Sequence, residues 1–226
     1  MGRKLRLTII VGHYGSGKTE FAVNYAMKMQ DLYGDVAIAD LDIVNPYFRT
    51  REIAERLENK GIRVISSVIG NKDSLSISAP ALSPELNGLF QTDKYFGIID
   101  VGGNPVGATA LARFAHYLVE QDYNMYMVVN ANRPETQSAD EVIAFWEGIE
   151  DKSNLKINGI INNTHMIRQT ALEDVRRGDR LAKAVSARTG IPVIYTSYIE
   201  EMVELGAYQT AGEPFAMELL MRPEWL

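Results

Sequence analysis

The stretch VGHYGSGKTE, residues 11–20, decides the fold that this chain is expected to adopt. It has the spacing of a phosphate-binding loop, with a glycine and four further residues before Gly17, Lys18 and Thr19. In such a loop the glycines let backbone N–H groups surround an anion, the lysine contacts the β- and γ-phosphates, and the hydroxyl group ligates Mg²⁺. The motif works only between a strand and a helix, so the flanking residues have to supply both.

Both elements are predicted from the residues around the loop. Residues 5–11 form a short apolar run that predicts a strand, and residues 18–34 repeat apolar side chains at helical spacing before a glycine. This context favours a nucleotide-binding loop over glycines that merely close a turn. The predicted nucleotide-binding residues of the loop are Gly12, Gly15, Ser16, Gly17, Lys18, Thr19 and Glu20.

Strand and helix patterns alternate along the rest of the chain. The predicted strands are 36–42, 62–68, 95–103, 123–131, 155–164 and 191–197. The predicted helices are 51–61, 107–121, 135–151 and 171–190, with two short helices at the end of the chain. The Ser-, Pro- and Asn-rich residues 69–91 predict a long loop with one short helix near 83–90. We therefore expect one doubly wound α/β domain over residues 1–226, with a mainly parallel sheet and helices on both faces.

Composition restricts the classes of function. The chain has 226 residues, a formal net charge of −6 and no cysteine. An acidic chain disfavours a general nucleic-acid surface, and the missing thiols exclude disulfides and thiolate metal sites. No apolar run approaches the length of about 18 residues that a transmembrane helix needs. The C-terminal stretch 212–226 carries three glutamates and one arginine, a charge balance that disfavours a helix lying on a membrane surface. We expect a cytoplasmic protein whose C-terminal stretch packs on the domain or on a partner.

Acidic residues follow two of the apolar strands. Asp40 and Asp42 lie in IADLD at the end of one predicted strand, and Asp100 lies at the end of YFGII. Ligands in parallel sheets bind at the carboxyl ends of the strands, so Lys18, Asp42 and Asp100 are expected to converge. Gly103, in DVGG, is positioned to offer a backbone N–H to the γ-phosphate. Each aspartate taken alone is equally well explained as an ordinary strand-end residue.

Three stretches together resemble the MinD/ParA-type ATPases, a branch of P-loop proteins that also holds the nitrogenase iron protein, the arsenite-pump ATPase and the CobB/CobQ and dethiobiotin synthetases. The stretches are GHYGSGKTE, VAIADLDIVNPYFR and YFGIIDVGG. The resemblance implies that Lys18 and Asp42 are the catalytic residues, with Asp42 orienting the attacking water. It also implies that Thr19, Asp40 and Asp100 bind Mg²⁺. The residue implied to contact the base is Asn163 or, as the less favoured alternative, Asn162.

The chain departs from this family at one position of the loop. MinD and ParA carry a second, signature lysine after the first glycine, which reaches across a dimer, whereas this chain has His13 followed by Tyr14. A protonated His13 would partly replace that lysine. The alternative that His13 is an ordinary residue of the loop accounts for the sequence equally well. Arg49 and Arg51 are alternative cations, although solvated residues at a helix start explain them slightly better.

The predicted nucleotide is ATP. DVGG also fits the D-x-x-G element of GTPases, but those proteins read guanine with Asn-Lys-x-Asp, and this chain has NNTH at 162–165 without an aspartate. The three histidines, His13, His116 and His165, share no metal-ligand spacing. His165 is expected in a loop near the base and His116 on a helix.

The leading functional hypothesis is a Mg²⁺-dependent, slow ATPase that acts as a nucleotide-dependent switch on a client protein and forms an ATP-promoted homodimer. Two alternatives stay open. One is a small-molecule phosphotransferase or carboxylate-activating ligase, with residues 69–91 as its substrate pocket, and the other is a scaffold with little hydrolysis. The absent signature lysine favours the transferase, whereas the D-x-D loop with its arginines favours the switch.

Overall fold

Strands and helices alternate throughout the residues that a computed structural model describes, 6–41, 53–66, 84–91, 94–103, 105–119 and 123–221. The strands are β1 (Leu7–Gly12), β2 (Val36–Leu41), β3 (Arg63–Ser66), β4 (Phe96–Val101), β5 (Tyr123–Val129), β6 (Gly159–Asn162), β7 (Val193–Ile199) and β8 (Glu213–Met217). The helices are α1 (Lys18–Tyr33), α2 (Ala54–Asn59), α3 (Pro84–Gln91), α4 (Pro105–Ala112), α5 (Ala115–Val119), α6 (Ala139–Ser153) and α7 (Leu172–Thr189). Among these helices, none is long and apolar enough to cross a bilayer.

The strands form one parallel sheet in the order β3-β2-β4-β1-β5-β6-β7-β8. This confirms the predicted α/β fold with a parallel sheet. β1 lies between β4 and β5, so the strands that follow it are distributed to both of its sides. The loop that leaves β1 therefore opens at the carboxyl edge where the strand order changes direction, the place at which open α/β sheets bind ligands.

Both faces of the sheet are buried, which explains the continuous apolar runs of the strands. One face packs against α1 and α2 and contains Phe21, Ile38 and Phe215. The opposite face packs against helices α3 to α7 and contains Trp146 and Val185. β1 and β2 are buried along their whole length, so the loops after them start from a rigid base.

The end of the described chain differs from the sequence prediction. The two predicted short helices are wrong for residues up to 221, because residues 213–217 form β8 and pair in parallel with β7. Packing favours a strand over a helix here, because the Phe215 ring contacts two other rings. The distance between ring centroids is 5.0 Å to Phe21 and 5.3 Å to Tyr195.

Smaller differences concern the helices. The predicted helix 107–121 is two helices, α4 and α5, separated by a turn at 113–114. The predicted helix 135–151 begins later, because Ser138 and Glu141 form a capping box that starts α6 at Ala139. The short helix expected near 83–90 corresponds to α3, whereas residues 67–83 lie outside the described residues.

Candidate nucleotide-binding site

The loop between β1 and α1 has the backbone conformation that its glycines permit. Gly15 and Gly17 have φ angles of 76° and 78°, a left-handed region that favours glycine. Neighbouring side chains also leave no room there: a Cβ atom would lie 2.5 Å from the Arg133 guanidinium at Gly15 and 2.4 Å from Asn163 Nδ2 at Gly17. A cavity opens beside this loop, and Gly15, Gly17 and Lys18 line it.

The predicted metal-binding side of the site is assembled at the carboxyl ends of β2 and β4. Thr19 Oγ1 donates a hydrogen bond of 2.6 Å to Asp100 Oδ2. Asp40 lies beside Asp100 in the parallel register of β2 and β4, and both carboxylates are buried. Lys18 opens α1 and is only 7% exposed. Asp42, the predicted water-orienting residue, lies outside the described residues.

The side chains at this edge fit a bound Mg²⁺. Hydroxyl and carboxylate oxygens from Thr19, Asp40 and Asp100 are the donors that Mg²⁺ prefers, and it usually completes its shell with waters and phosphate oxygens. Two buried carboxylates on neighbouring strands repel each other, and a cation offsets that repulsion. Across the described ranges, no group of three or more His, Asp or Glu side chains could hold a metal ion by itself.

Two further glycines are needed because backbones approach closely. A Cβ atom at Gly103 would lie 2.8 Å from Tyr14 N and 3.0 Å from Gly12 O, so the loop after β4 touches the phosphate-binding loop. At Gly12 a Cβ atom would lie 2.6 Å from Val128 O. Gly103 is thus beside the loop, as expected, and its contact with a γ-phosphate stays a prediction.

Asn163 lies at the cavity, but its amide is engaged by the protein. Its Nδ2 donates to Ser16 O at 2.8 Å, and its Oδ1 accepts from Ser197 Oγ at 2.7 Å. The side chain therefore ties the phosphate-binding loop to β6 and β7, and the geometry supports positioning of the loop more than direct reading of a base. Asn162 donates to Asp179 Oδ1 at 2.9 Å on α7 and does not line the cavity.

Much of the cavity lining is apolar. The apolar side chains are those of Ile167, Ile199, Met217, Leu219 and Met221. Two of them belong to residues 218–221, which follow β8 and are called the strap below. His165 also lines the cavity and lies against the loop, because a Cβ atom at Gly17 would lie 2.8 Å from its Nε2, and its proximity to a base stays a prediction. The cavity thus combines the glycine-rich loop with an apolar wall, as a nucleoside phosphate requires.

The strap is held on α1 by two polar side chains. Glu20 Oε1 accepts the backbone N–H of Leu220 at 2.6 Å and that of Met221 at 3.2 Å. Asn24 donates to Glu218 O at 3.0 Å and accepts from Glu218 N at 2.9 Å. Glu20 was predicted to bind nucleotide and does line the cavity, but its carboxylate holds the strap, so the geometry supports an indirect contribution.

His13 turns away from the cavity. Its ring packs edge-on against Phe145, 4.9 Å between centroids, and its Nδ1 lies 3.8 Å from Glu135 Oε2. This arrangement favours an ordinary loop residue over a substitute for the signature lysine. The alternative cations, Arg49 and Arg51, lie outside the described residues.

Arg133 is a cavity residue that the sequence analysis missed. Its Nε donates to Gly15 O at 2.8 Å, and its side chain lines the cavity with Lys18. A signal was present in the sequence, because Arg133 closely follows the carboxyl end of β5, the edge at which ligands bind.

Comparison with known proteins identifies the fold. The chain matches no protein-family model, and no curated protein is significantly similar to it. Chloroplast FtsY from Physcomitrella patens superposes with a TM-score of 0.59 at 14% identity, over 95% of this chain and 63% of that chain. FtsY from Thermotoga maritima gives a TM-score of 0.56 at 15% identity, over 86% and 62%. The Signal Recognition Particle 54 kDa protein from Aeropyrum pernix K1, solved in complex with GDP, gives 0.54 at 19%, over 85% and 41%.

The chain has a P-loop NTPase fold. The prediction of that fold is confirmed, while the narrower resemblance to MinD/ParA-type ATPases stays a prediction. At these identities the similarity concerns the fold alone, and this chain spans less than two thirds of each of these three chains.

Proposed function

We propose that this chain binds ATP with Mg²⁺ and hydrolyses it slowly, so that the bound nucleotide switches a conformation that a partner protein recognises. One observation supports the proposal: Lys18 and Thr19 line a cavity that is also lined by apolar side chains, and Thr19 donates a hydrogen bond to Asp100. This combination suits a nucleoside triphosphate better than a bare phosphate, because the apolar side chains give a base something to contact.

The residues of the loop would do most of the chemical work by positioning and charge. The Lys18 ammonium and the backbone N–H groups at the start of α1 would bind the β- and γ-phosphates. Thr19, Asp40 and Asp100 would hold Mg²⁺, which neutralises charge on the phosphate oxygens during transfer. Asp42, by the family resemblance, would orient the water in line with the γ-phosphate.

The proposed base is adenine. Guanine is usually read by a carboxylate that accepts from its N1–H and amino groups. Glu20 is the one carboxylate among the described lining residues, and its oxygens already accept the amides of the strap. The Asn163 amide is engaged at both ends. Two solved structures with this fold contain GDP, so a direct comparison of the two nucleotides is the informative measurement.

A partner is supported by apolar side chains beside the cavity. Tyr14 is 62% exposed in the loop itself, and Met166, between two lining residues, is 49% exposed. Exposed apolar side chains that adjoin a ligand site are typical of interaction surfaces. A second copy of the chain, with the two nucleotide sites facing each other, is the partner that the resemblance implies, and a client protein is the other.

The test is nucleotide binding and turnover with Mg²⁺ for the unmodified protein, for Lys18→Ala and for Lys152→Ala, an exposed lysine on α6 that serves as control. We expect ATP to bind more tightly than GTP, Lys18→Ala to lose binding and turnover, and Lys152→Ala to change neither. Light scattering with ATP would detect the dimer.

Three outcomes would count against parts of this proposal. Unchanged ATP affinity in Lys18→Ala would refute the assignment of the loop. Equal affinity for ATP and GTP would refute the choice of base. Transfer of the γ-phosphate to a small molecule instead of water would support the phosphotransferase alternative.

A further inference from the structure

We infer that Arg133, which contacts Gly15 of the phosphate-binding loop, binds the phosphates of a nucleotide held by its own chain. The inference rests on the proposed nucleotide function and adds a residue that neither the motif nor the family resemblance assigns. It starts from a partly buried guanidinium that lines the same cavity as Lys18.

The guanidinium lies against the phosphate-binding loop. Its Nε–H donates to Gly15 O at 2.8 Å. A Cβ atom at Gly15 would lie 2.5 Å from Nε, Cζ and Nη2 of Arg133, so glycine is what allows this contact. Arginine carries five N–H donors, and this bond uses one of them. The remaining donors are in the right place for anionic oxygens that enter the loop.

The charge of Arg133 has no carboxylate partner in the described part of the chain, where no Asp or Glu oxygen lies within 4.0 Å of its guanidinium nitrogens. Glu20 is the one carboxylate among the described lining residues, and it accepts the strap amides. Lys18 and Arg133 thus bring two cations to one cavity, which favours a polyanionic ligand.

The backbone at Arg133 is fixed before any ligand binds. Arg133 N donates to Asn130 O at 3.1 Å, and Thr136 N donates to Arg133 O at 3.1 Å. Asn132 Nδ2 donates to Asp174 Oδ1 at 3.0 Å on α7, which anchors the same turn to the body of the protein. A held backbone lowers the entropy that placing the guanidinium on a ligand would cost.

The position of Arg133 indicates which phosphates it binds. Its guanidinium contacts Gly15, which belongs to the loop whose backbone N–H groups surround the α- and β-phosphates in proteins with this motif. The structure therefore assigns Arg133 to the phosphates that ADP and ATP share. In this way the chain supplies a second cation itself, although His13 occupies the position of the signature lysine.

The test compares Arg133→Gln and Arg133→Lys with the unmodified protein, using calorimetric titration with adenosine, ADP and ATP. We expect Arg133→Gln to weaken ADP and ATP binding to a similar degree, by roughly tenfold or more, and to leave adenosine binding unchanged. Arg133→Lys should recover part of the loss, because it keeps the positive charge. Arg113→Gln, at the exposed turn between α4 and α5, is the matched control and should bind normally.

A purely structural role for Arg133 is separated by two measurements. Thermal melting without nucleotide checks that both variants are folded. In protein labelled with ¹⁵N-arginine, ADP should shift the side-chain N–H signals that Arg133→Lys lacks, because they contact phosphate directly. The inference would be overturned if ADP did not move these signals or if Arg133→Gln kept its affinities for ADP and ATP. It would also be overturned if Arg133→Gln weakened the binding of ATP alone or weakened adenosine binding as well. Failure of the unmodified protein to bind any nucleotide would overturn the proposed function as well.

Discussion

Replacing Glu20 by alanine tests whether the strap forms part of the nucleotide site. Glu20 lies in the first turn of α1, next to Thr19, and its carboxylate accepts the amides of Leu220 and Met221. The variant leaves residues 11–19 unaltered in sequence. It removes one of the two side chains that hold the strap, the other being Asn24.

The structure gives a magnitude for this change. A hydrogen bond to a charged group contributes about 1.5–3 kcal/mol. Two such bonds are lost, but Glu20 is partly exposed, the freed amides reach water, and the Asn24 bonds to Glu218 remain. We therefore expect opening of the strap to become easier by about 2 kcal/mol, which is roughly a 30-fold change in the opening equilibrium. Glu20→Gln keeps an acceptor without its charge and should lose about 1 kcal/mol.

Hydrogen exchange measures the strap directly. The amides of Leu220 and Met221 should exchange about 30-fold faster in Glu20→Ala, while the amides of β1 keep their protection. ATP affinity should fall by no more than the same factor, because the open strap removes only the apolar wall. Glu147→Ala, an exposed glutamate on α6, is the matched control. If the two strap amides exchange at the unmodified rate in a folded Glu20→Ala protein, Glu20 does not hold the strap.

Four further variants test the loop, the core and the chemistry. Gly17→Ala would place a Cβ atom 2.4 Å from Asn163 Nδ2 at a φ of 78°, so calorimetry should show at least about tenfold weaker ATP binding, and an unchanged affinity would contradict the loop geometry. Asp179 is 1% exposed and accepts hydrogen bonds from side chains that include Tyr208. Urea unfolding of Asp179→Ala should therefore show a free energy of unfolding that is lower by about 3 kcal/mol or more. A decrease below about 1 kcal/mol would refute the structural role of Asp179. Burial and the bond to Asp179 raise the pKa of Tyr208 from 10.0 to about 12. The neutral hydroxyl therefore stabilises the fold below pH 10, and this contribution is lost as the pH rises through 12. In Tyr208→Phe, the free energy of unfolding should depend less on pH between 10 and 12. Asp42→Ala is expected to keep ATP and Mg²⁺ binding but to lose about 10²-fold or more in turnover, and hydrolysis at the unmodified rate would mean that another group, Asp100 first, holds the water.

The sequence by itself determined the fold and the anion-binding end of the site. Glycine spacing, the strand before it and the helix after it are local features, and they predict the loop whose Gly15 and Gly17 have left-handed φ angles. Alternation of strands and helices predicts a parallel sheet, and a parallel sheet brings the ends of its strands to one edge. The contact between Thr19 and Asp100, 81 residues apart, follows from that rule together with the motif.

Only the tertiary structure decided how the apolar wall of the cavity is built. The sequence predicts short helices at the end of the chain, yet residues 213–217 form β8, in which Phe215 packs beside Phe21. The strap then meets Glu20, 200 residues away from Leu220, and Arg133 meets Gly15, 118 residues away. The periodicity of a sequence indicates only which face of a helix or strand is apolar. The distant backbone group that becomes a hydrogen-bond partner is determined by the packing of all the elements. These contacts could therefore not be derived from local patterns.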